Sequence, residues 1–198
     1  MAVSIVWFRR DLRRQNNRAL RIAAENGPVI PLFVLDEADR TEGGASKWWL
    51  HHSLKALEAD LGGLVIQRGD PAEILEQLVD QTGASAVYWN RQYDPHSVAR
   101  DTRIKTILNG KNILAESFPG SVVREPWEVK TGSGGPFKVY TPFWKANLAQ
   151  GIPDVDDTST PELSKLAGLG ISIDQLDLLP TKPDWAAGWD QLVGNKLS

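Results

Sequence analysis

The chain has 198 residues, 41% hydrophobic and 24% charged, with a formal net charge of −3. That composition excludes disorder and collagen-like repeats, and the length suits one globular domain with a sizeable core. With no cysteine, there can be no disulfide framework, thiolate nucleophile or Cys-based metal site. The histidines offer little to a metal: His51 and His52 would diverge by about 100° on a helix, and His96 is distant in sequence. The apolar run from Val3 to Phe8 is too short for a signal peptide and is stopped by Arg9-Arg10, and no segment approaches the roughly 20 apolar residues of a membrane span. The expectation is a cytoplasmic protein with no membrane contact.

In chain order, short β-branched or aromatic runs alternate with helical patterns, the mark of βαβ units. Strands are expected at Val3–Phe8, Val29–Leu35, Leu64–Arg68, Ala86–Asn90 and Ile113–Phe118, with helices between them at Asn17–Asn26, Ser46–Leu61, Pro71–Thr82 and Pro95–Asn109. Ser46, Asp70 and Asp94 are expected N-caps, the last two followed by Pro at the first helical position. The fold class is α/β: a doubly wound, Rossmann-like five-stranded parallel sheet with helices on both faces, and with the first and fourth strands adjacent at its centre. Beyond Phe118, residues 131–136 read as a loop before a short extended Phe137–Tyr140, and a helix follows Pro142. The expected organisation is an α/β domain over 1–150 and an acidic, Pro-containing tail and linker over 151–198. The tail carries −5 against +2 for the rest.

A doubly wound sheet invites a nucleotide, yet the first strand-to-helix turn is Arg9-Arg10-Asp11-Leu12-Arg13-Arg14, bulky and cationic where a dinucleotide fingerprint needs glycines. The glycines near Thr131 lack the Gly-Lys-Ser/Thr ending of a phosphate loop. The arginines at 9, 10, 13, 14, 18 and 21 form the densest charge feature. As a bare charge run they suit a solvated face, but Arg9 to Asp11 leave the carboxyl end of the first strand, where open α/β sheets bind ligands. The opposite edge of such a crevice would be Trp89 to Asp94. On the helix Ser46–Leu61, Leu50, Leu54, Leu57 and Leu61 fall within about 60° and form the core stripe. Trp48 then points to the opposite, outer side with His52 one turn beyond, and Trp49 lies on the flank. These indoles suit either packing against another element or stacking on a planar ligand.

Val6-Trp7-Phe8-Arg9-Arg10-Asp11-Leu12-Arg13, Ser46-Lys47-Trp48-Trp49-Leu50, Tyr93-Asp94-Pro95 with Arg100-Asp101, Glu125-Pro126-Trp127-Glu128-Val129 and Thr141-Pro142-Phe143-Trp144 occur in one order. In this the chain resembles the N-terminal domain of the DNA photolyase/cryptochrome family. Within it the likeness is greatest to the plant-cryptochrome-like branch, which includes the class III cyclobutane pyrimidine dimer photolyases. One departure is Asn16-Asn17, where most relatives carry Asp-Asn. Helix capping survives through Asn, but a countercharge to the arginines is lost.

The resemblance implies a flavoprotein whose N-terminal α/β domain carries a light-harvesting antenna chromophore, while a C-terminal helical domain holds FAD and contacts DNA. The parent enzyme would be a deoxyribodipyrimidine photo-lyase, a carbon–carbon lyase repairing UV-induced pyrimidine dimers. This chain alone, ending at the linker, would hold no catalytic residue and no FAD. The alternative is the N-terminal domain of a cryptochrome-type blue-light photoreceptor; a stand-alone nucleotide-binding or interaction domain is disfavoured by the absent phosphate loop. The expected antenna is methenyltetrahydrofolate, stacked on Trp48 and Trp49, with Glu37 and Lys47 as polar contacts. A deazaflavin would instead occupy the sheet-end crevice near Phe8, Arg9, Asp11 and Asp94. Partners are thus the chromophore and the helical domain, with DNA reached only through the latter.

Overall fold

In the computed structural model, which describes residues 2–36, 43–151 and 160–189, five strands form one sheet: β1 (Ser4–Phe8), β2 (Val29–Leu35), β3 (Val65–Arg68), β4 (Ala86–Asn90) and β5 (Leu114–Phe118). Their order is β3-β2-β1-β4-β5 and every pairing is parallel. β1 and β4 are central neighbours, with Trp7 opposite Trp89. Both are buried along their whole length, as strands covered on two faces must be. Alternation along β1 divides the core: Val6 and Phe8 pack with helices α1 (Arg18–Asn26) and α2 (Gly44–Leu61), whereas Ile5 and Trp7 pack with α3 (Pro71–Thr82) and α4 (Pro95–Gly110).

Local chemistry sets the helix starts. Asp70 accepts from the Ala72 N–H at 2.7 Å and Asp94 from the Ser97 N–H at 2.9 Å, each with Pro following. Asn17 caps α1 by accepting from the Leu20 N–H. Ser46 is not a cap. α2 begins two residues earlier, behind Gly43, with no side-chain cap, because Gly44 and Ala45 continue the helix without steric objection. The expected extended Phe137–Tyr140 is also absent: Tyr140 opens α5 (Tyr140–Ala149), so Pro142 lies inside the first turn, where its missing N–H is tolerated. Residues 131–135 close a loop through the Thr131 N–H to the Gly135 carbonyl and the Gly134 N–H to the Thr131 carbonyl. Among the described residues no helix is long and apolar enough to cross a membrane.

Residues 160–189 run back over the domain as a strap. Val29 donates to the Glu162 carbonyl at 2.8 Å and accepts from the Ser164 N–H at 3.0 Å, and the Ile171 N–H donates to the Ile66 carbonyl at 2.9 Å, giving edge strand β3 an antiparallel bridge. A Cβ on Gly170 would fall 2.6 Å from that carbonyl, so only glycine fits this approach. A 3-10 turn at Ile173–Leu176 then buries Ile173, Leu176 and Leu178 against the α2 side of the core.

Candidate ligand cleft

Strand order reverses between β1 and β4, and the carboxyl ends of these strands are tied by a buried polar network. Arg9 donates through Nη1 to Asp101 Oδ1 at 2.8 Å and through Nη2 to the Asn90 carbonyl. Asp101 Oδ2 also accepts from Trp89 Nε1 at 2.8 Å. Asn90 Nδ2 reaches Asp11 Oδ2 at 2.6 Å and Asn17 Oδ1 at 2.9 Å, while its Oδ1 accepts from the Ala19 N–H. Burial lowers the Arg9 pKa from its ordinary value, against the opposing pull of Asp101, and the neighbouring Arg100 adds to the lowering. The guanidiniums of Arg9 and Arg100 lie 4.7 and 5.1 Å from the Trp7 ring centroid. Side chains thus fill the switch point itself.

The open space lies to one side, over the ends of β1, β2 and β3, as a cleft of about 1520 Å³. Arg9 to Arg13 form one wall, Phe33 to Asp36 the floor, the first two turns of α2 the facing wall, and Leu176 to Leu178 with Trp189 an outer edge. Arg9, Arg10, Arg13, Lys47, Arg68 and Arg100 supply six cations against Asp11, Asp36 and Asp177. Most are committed: Arg13 donates to the Gly120 carbonyl, Arg68 to the Leu176 carbonyl, and Arg100 to Asp36 at 3.0 Å and to Gln92. Arg10 and Lys47 have no hydrogen bond or ion pair among the described residues, and the α2 N-terminus beside Lys47 has no side-chain cap. Among the described residues the cleft therefore offers an anion Lys47 beside a helix N-terminus and Arg10 on the facing wall, and an aromatic ligand the indole of Trp49, which is 64% exposed.

The structure brings Lys47, Trp48, Trp49, Arg9 and Asp11 to this one cleft, so the two sites expected from sequence are two ends of one space. Phe8 and Asp94 do not line it. Phe8 is buried in the core on the α1 and α2 side, and Asp94 is engaged as the α4 cap. Glu37 lies outside the described residues. Trp48 does project away from the leucine stripe, but that side of α2 is not outer: the indole is 5% exposed, 4.2 Å from the His52 ring and 5.4 Å from that of Trp189. A helical wheel knows one buried side; the strap supplies the second. Trp189 and Leu176 to Leu178 escaped the sequence reading because their tail reads as a linker, although two tryptophans in a polar tail were a visible signal. The remaining arginines divide between ion pairs (Arg14 to Asp60 at 3.1 Å, Arg21 to Glu25 at 2.7 Å) and the Phe118 ring, 6.0 Å from Arg18.

A doubly wound sheet with a mixed aromatic and cationic cleft at its carboxyl edge is the arrangement in which open α/β domains hold small molecules. Its lineage is specific: the DNA photolyase family model matches residues 4–162, and the chain belongs to that family. It is 42% identical to the deoxyribodipyrimidine photo-lyase of Agrobacterium fabrum over 195 residues, covering 95% of this chain and 41% of that protein. Cryptochrome-1 of Arabidopsis thaliana is 42% identical over 154 residues, 74% of this chain and 23% of that protein. The crystal structure of a bacterial class III photolyase from Agrobacterium tumefaciens superposes with a TM-score of 0.86 at 41% identity, over 96% of this chain and 41% of that one. The chain thus spans about two fifths of the length of these photolyases.

Proposed function

We propose that this chain is the antenna-chromophore-binding domain of a class III-like deoxyribodipyrimidine photo-lyase whose helical domain, outside the present sequence, holds FAD and contacts DNA. The observation that carries the reading is the cleft: an exposed indole next to Lys47 with Arg10 on the facing wall, both cations without a hydrogen bond or ion pair among the described residues, in a chain of the photolyase family. Methenyltetrahydrofolate has the matching chemistry, a flat amphipathic pterin for Trp49 and glutamyl carboxylates for Arg10 and Lys47. When bound, the folate would absorb near-ultraviolet or blue light and pass excitation to the flavin. Trp49 is the stacking platform, because both sides of Trp48 are already engaged. Lys47 and Arg10 orient the tail, and the Arg9–Asp101 network holds the floor rigid. A deazaflavin would use the Arg9 and Asp11 end of the cleft. A cryptochrome is the second reading, favoured by 42% identity over 154 residues; the photolyase likeness is preferred because the same identity holds over 195 residues, 95% of the chain.

Titration with methenyltetrahydrofolate, followed by its absorption, tests the proposal. Trp49→Ala should weaken binding by about 1–3 kcal/mol, the scale of one lost stacking contact. Arg10→Ala and Lys47→Ala should weaken a polyglutamyl form more than the monoglutamate. Titrations unchanged in all three variants would remove the folate site, and FAD retained stoichiometrically by this chain through gel filtration would contradict the division of labour.

A further inference from the structure

The strap is fastened to the domain at several points. The Gln67 side chain donates to the Leu169 carbonyl and Arg68 to the Leu176 carbonyl, so two adjacent β3 residues grip it beside the cleft. Ser172 and Gln175 form a reciprocal capping box that shapes the 3-10 turn, and Asp174 faces Lys55 of α2 at 3.6 Å. Ile173, Leu176 and Leu178 anchor the turn by apolar burial. Further along, the Trp185 ring lies over Gly44, where a Cβ would stand 3.1 Å from Cζ2, so the first residue of α2 is a fitted seat for an indole. Trp185 in turn meets Trp189 edge-on at 5.4 Å, and Trp189 meets Trp48 edge-on at 5.4 Å. Trp189 lines the cleft yet keeps 42% of its surface exposed. A large apolar ring held at the mouth of a cleft, half uncovered, has surface to give to a ligand.

We infer that Trp189 is a third aromatic wall of the ligand site, so that a planar ligand is held between α2 and the strap, and binding tightens the docking of residues 172–189. This rests on the proposed folate or deazaflavin site and adds to it a residue from another part of the chain. An apolar ring contributes to binding through the area a ligand removes from water, and the exposed face of Trp189 is that area. The ligand bridging two segments must stabilise their contact by linkage, since binding and docking share one equilibrium. The strap thereby becomes a reporter of cleft occupancy.

The test uses the whole 198-residue chain, with methenyltetrahydrofolate as the probe and a deazaflavin as the second. Trp189→Ala should raise Kd about tenfold, while Trp189→Phe, which keeps an aromatic face, should stay within about threefold of the parent. Amide hydrogen exchange over residues 172–189 should slow when the parent chain is saturated with the probe. Retained affinity in Trp189→Ala, or strap exchange indifferent to ligand, overturns the inference while leaving the folate site standing. A parent chain that binds neither probe overturns both.

Discussion

Asp101 is the point at which the switch-point network is most exposed to perturbation. Its carboxylate accepts from Arg9 at 2.8 and 3.2 Å and from the Trp89 indole at 2.8 Å, with side-chain exposures of 6% for Arg9 and 11% for Asp101. Asp101→Ala strands the buried guanidinium of Arg9 near Arg100 and leaves the indole N–H of fully buried Trp89 without its acceptor. Breaking a buried pair by removing one partner costs about 3–5 kcal/mol, because the desolvated charge that remains is uncompensated. Against a total stability of roughly 5–15 kcal/mol, that is a large share. For a domain of this size it corresponds to a fall in Tm of roughly 6–20 °C. Urea unfolding followed by far-UV circular dichroism would read it as a lower midpoint at unchanged slope. Replacing both partners, as in Arg9→Met with Asp101→Leu, should recover the part of the loss that comes from the stranded guanidinium, but not the part from the unpaired Trp89 indole N–H. A loss below about 1 kcal/mol in Asp101→Ala would refute the reasoning, because a surface pair is worth no more than that.

The N-cap of α4 carries a pH signature. The Ser97 N–H and hydroxyl hold the Asp94 carboxyl below its ordinary pKa, so its contribution is complete above the unfolded carboxyl value and is lost as pH falls through the lower folded one. Asp94→Ala should cost about 1 kcal/mol at neutral pH, a deficit that shrinks as pH falls through the lowered carboxyl pKa of the folded parent; a deficit constant with pH in urea titrations would contradict the cap. Gly120→Ala should be destabilising by about 1–3 kcal/mol, because the new methyl would lie 2.6 Å from Asn90 Cγ and displace the residue that joins Asp11 to Asn17; an unchanged melting temperature would show that Asn90 can yield. Duplex DNA should bind weakly and without preference for irradiated probe, since the net charge is −3 and most arginines are spent on internal partners. A clear preference in a mobility-shift titration at about 0.15 M salt would assign damage recognition to this domain.

The sheet was legible because β1, β2 and β4 are short, largely apolar runs and two helix starts carry an Asp-Pro pair, signals that arise within a few residues of chain. β2 and β4 fall on the expected residues, as does α3. The start of α2 was not, because Ser46 offers a capping hydroxyl that the longer helix leaves unused. The cleft was legible in its residue types and not in its shape. Arg9 and Asp101 are 92 positions apart, and nothing local announces that one neutralises the other. Trp48 was placed on the correct side of its helix and given the wrong surroundings, since the element that covers it lies more than a hundred residues onward. Tertiary partners of this kind are invisible to periodicity, which reports only which side of an element is apolar.

The same long-range pairing explains how one arginine-rich turn serves two ends. Arg9 is neutralised inside the protein and ties the end of β1 to α4 and to the end of β4; Arg10, the next residue, is exposed, lines the cleft and has no hydrogen bond or ion pair among the described residues. Successive residues leaving a strand diverge in direction, so a buried structural cation and an accessible binding cation can be adjacent in sequence without competing. An anionic ligand at Arg10 approaches a turn already held rigid by the Asp101 and Asn90 contacts of Arg9. Little ordering of that wall remains to be done on binding, and that is the condition under which a few polar contacts give useful affinity. The facing wall is completed by the strap, held by backbone bridges to β2 and β3, apolar anchors and side-chain contacts to carbonyl groups. The cleft therefore has one side tied down at the arginine turn, and under the proposed reading Trp189 is where the strap on the other side would meet the ligand.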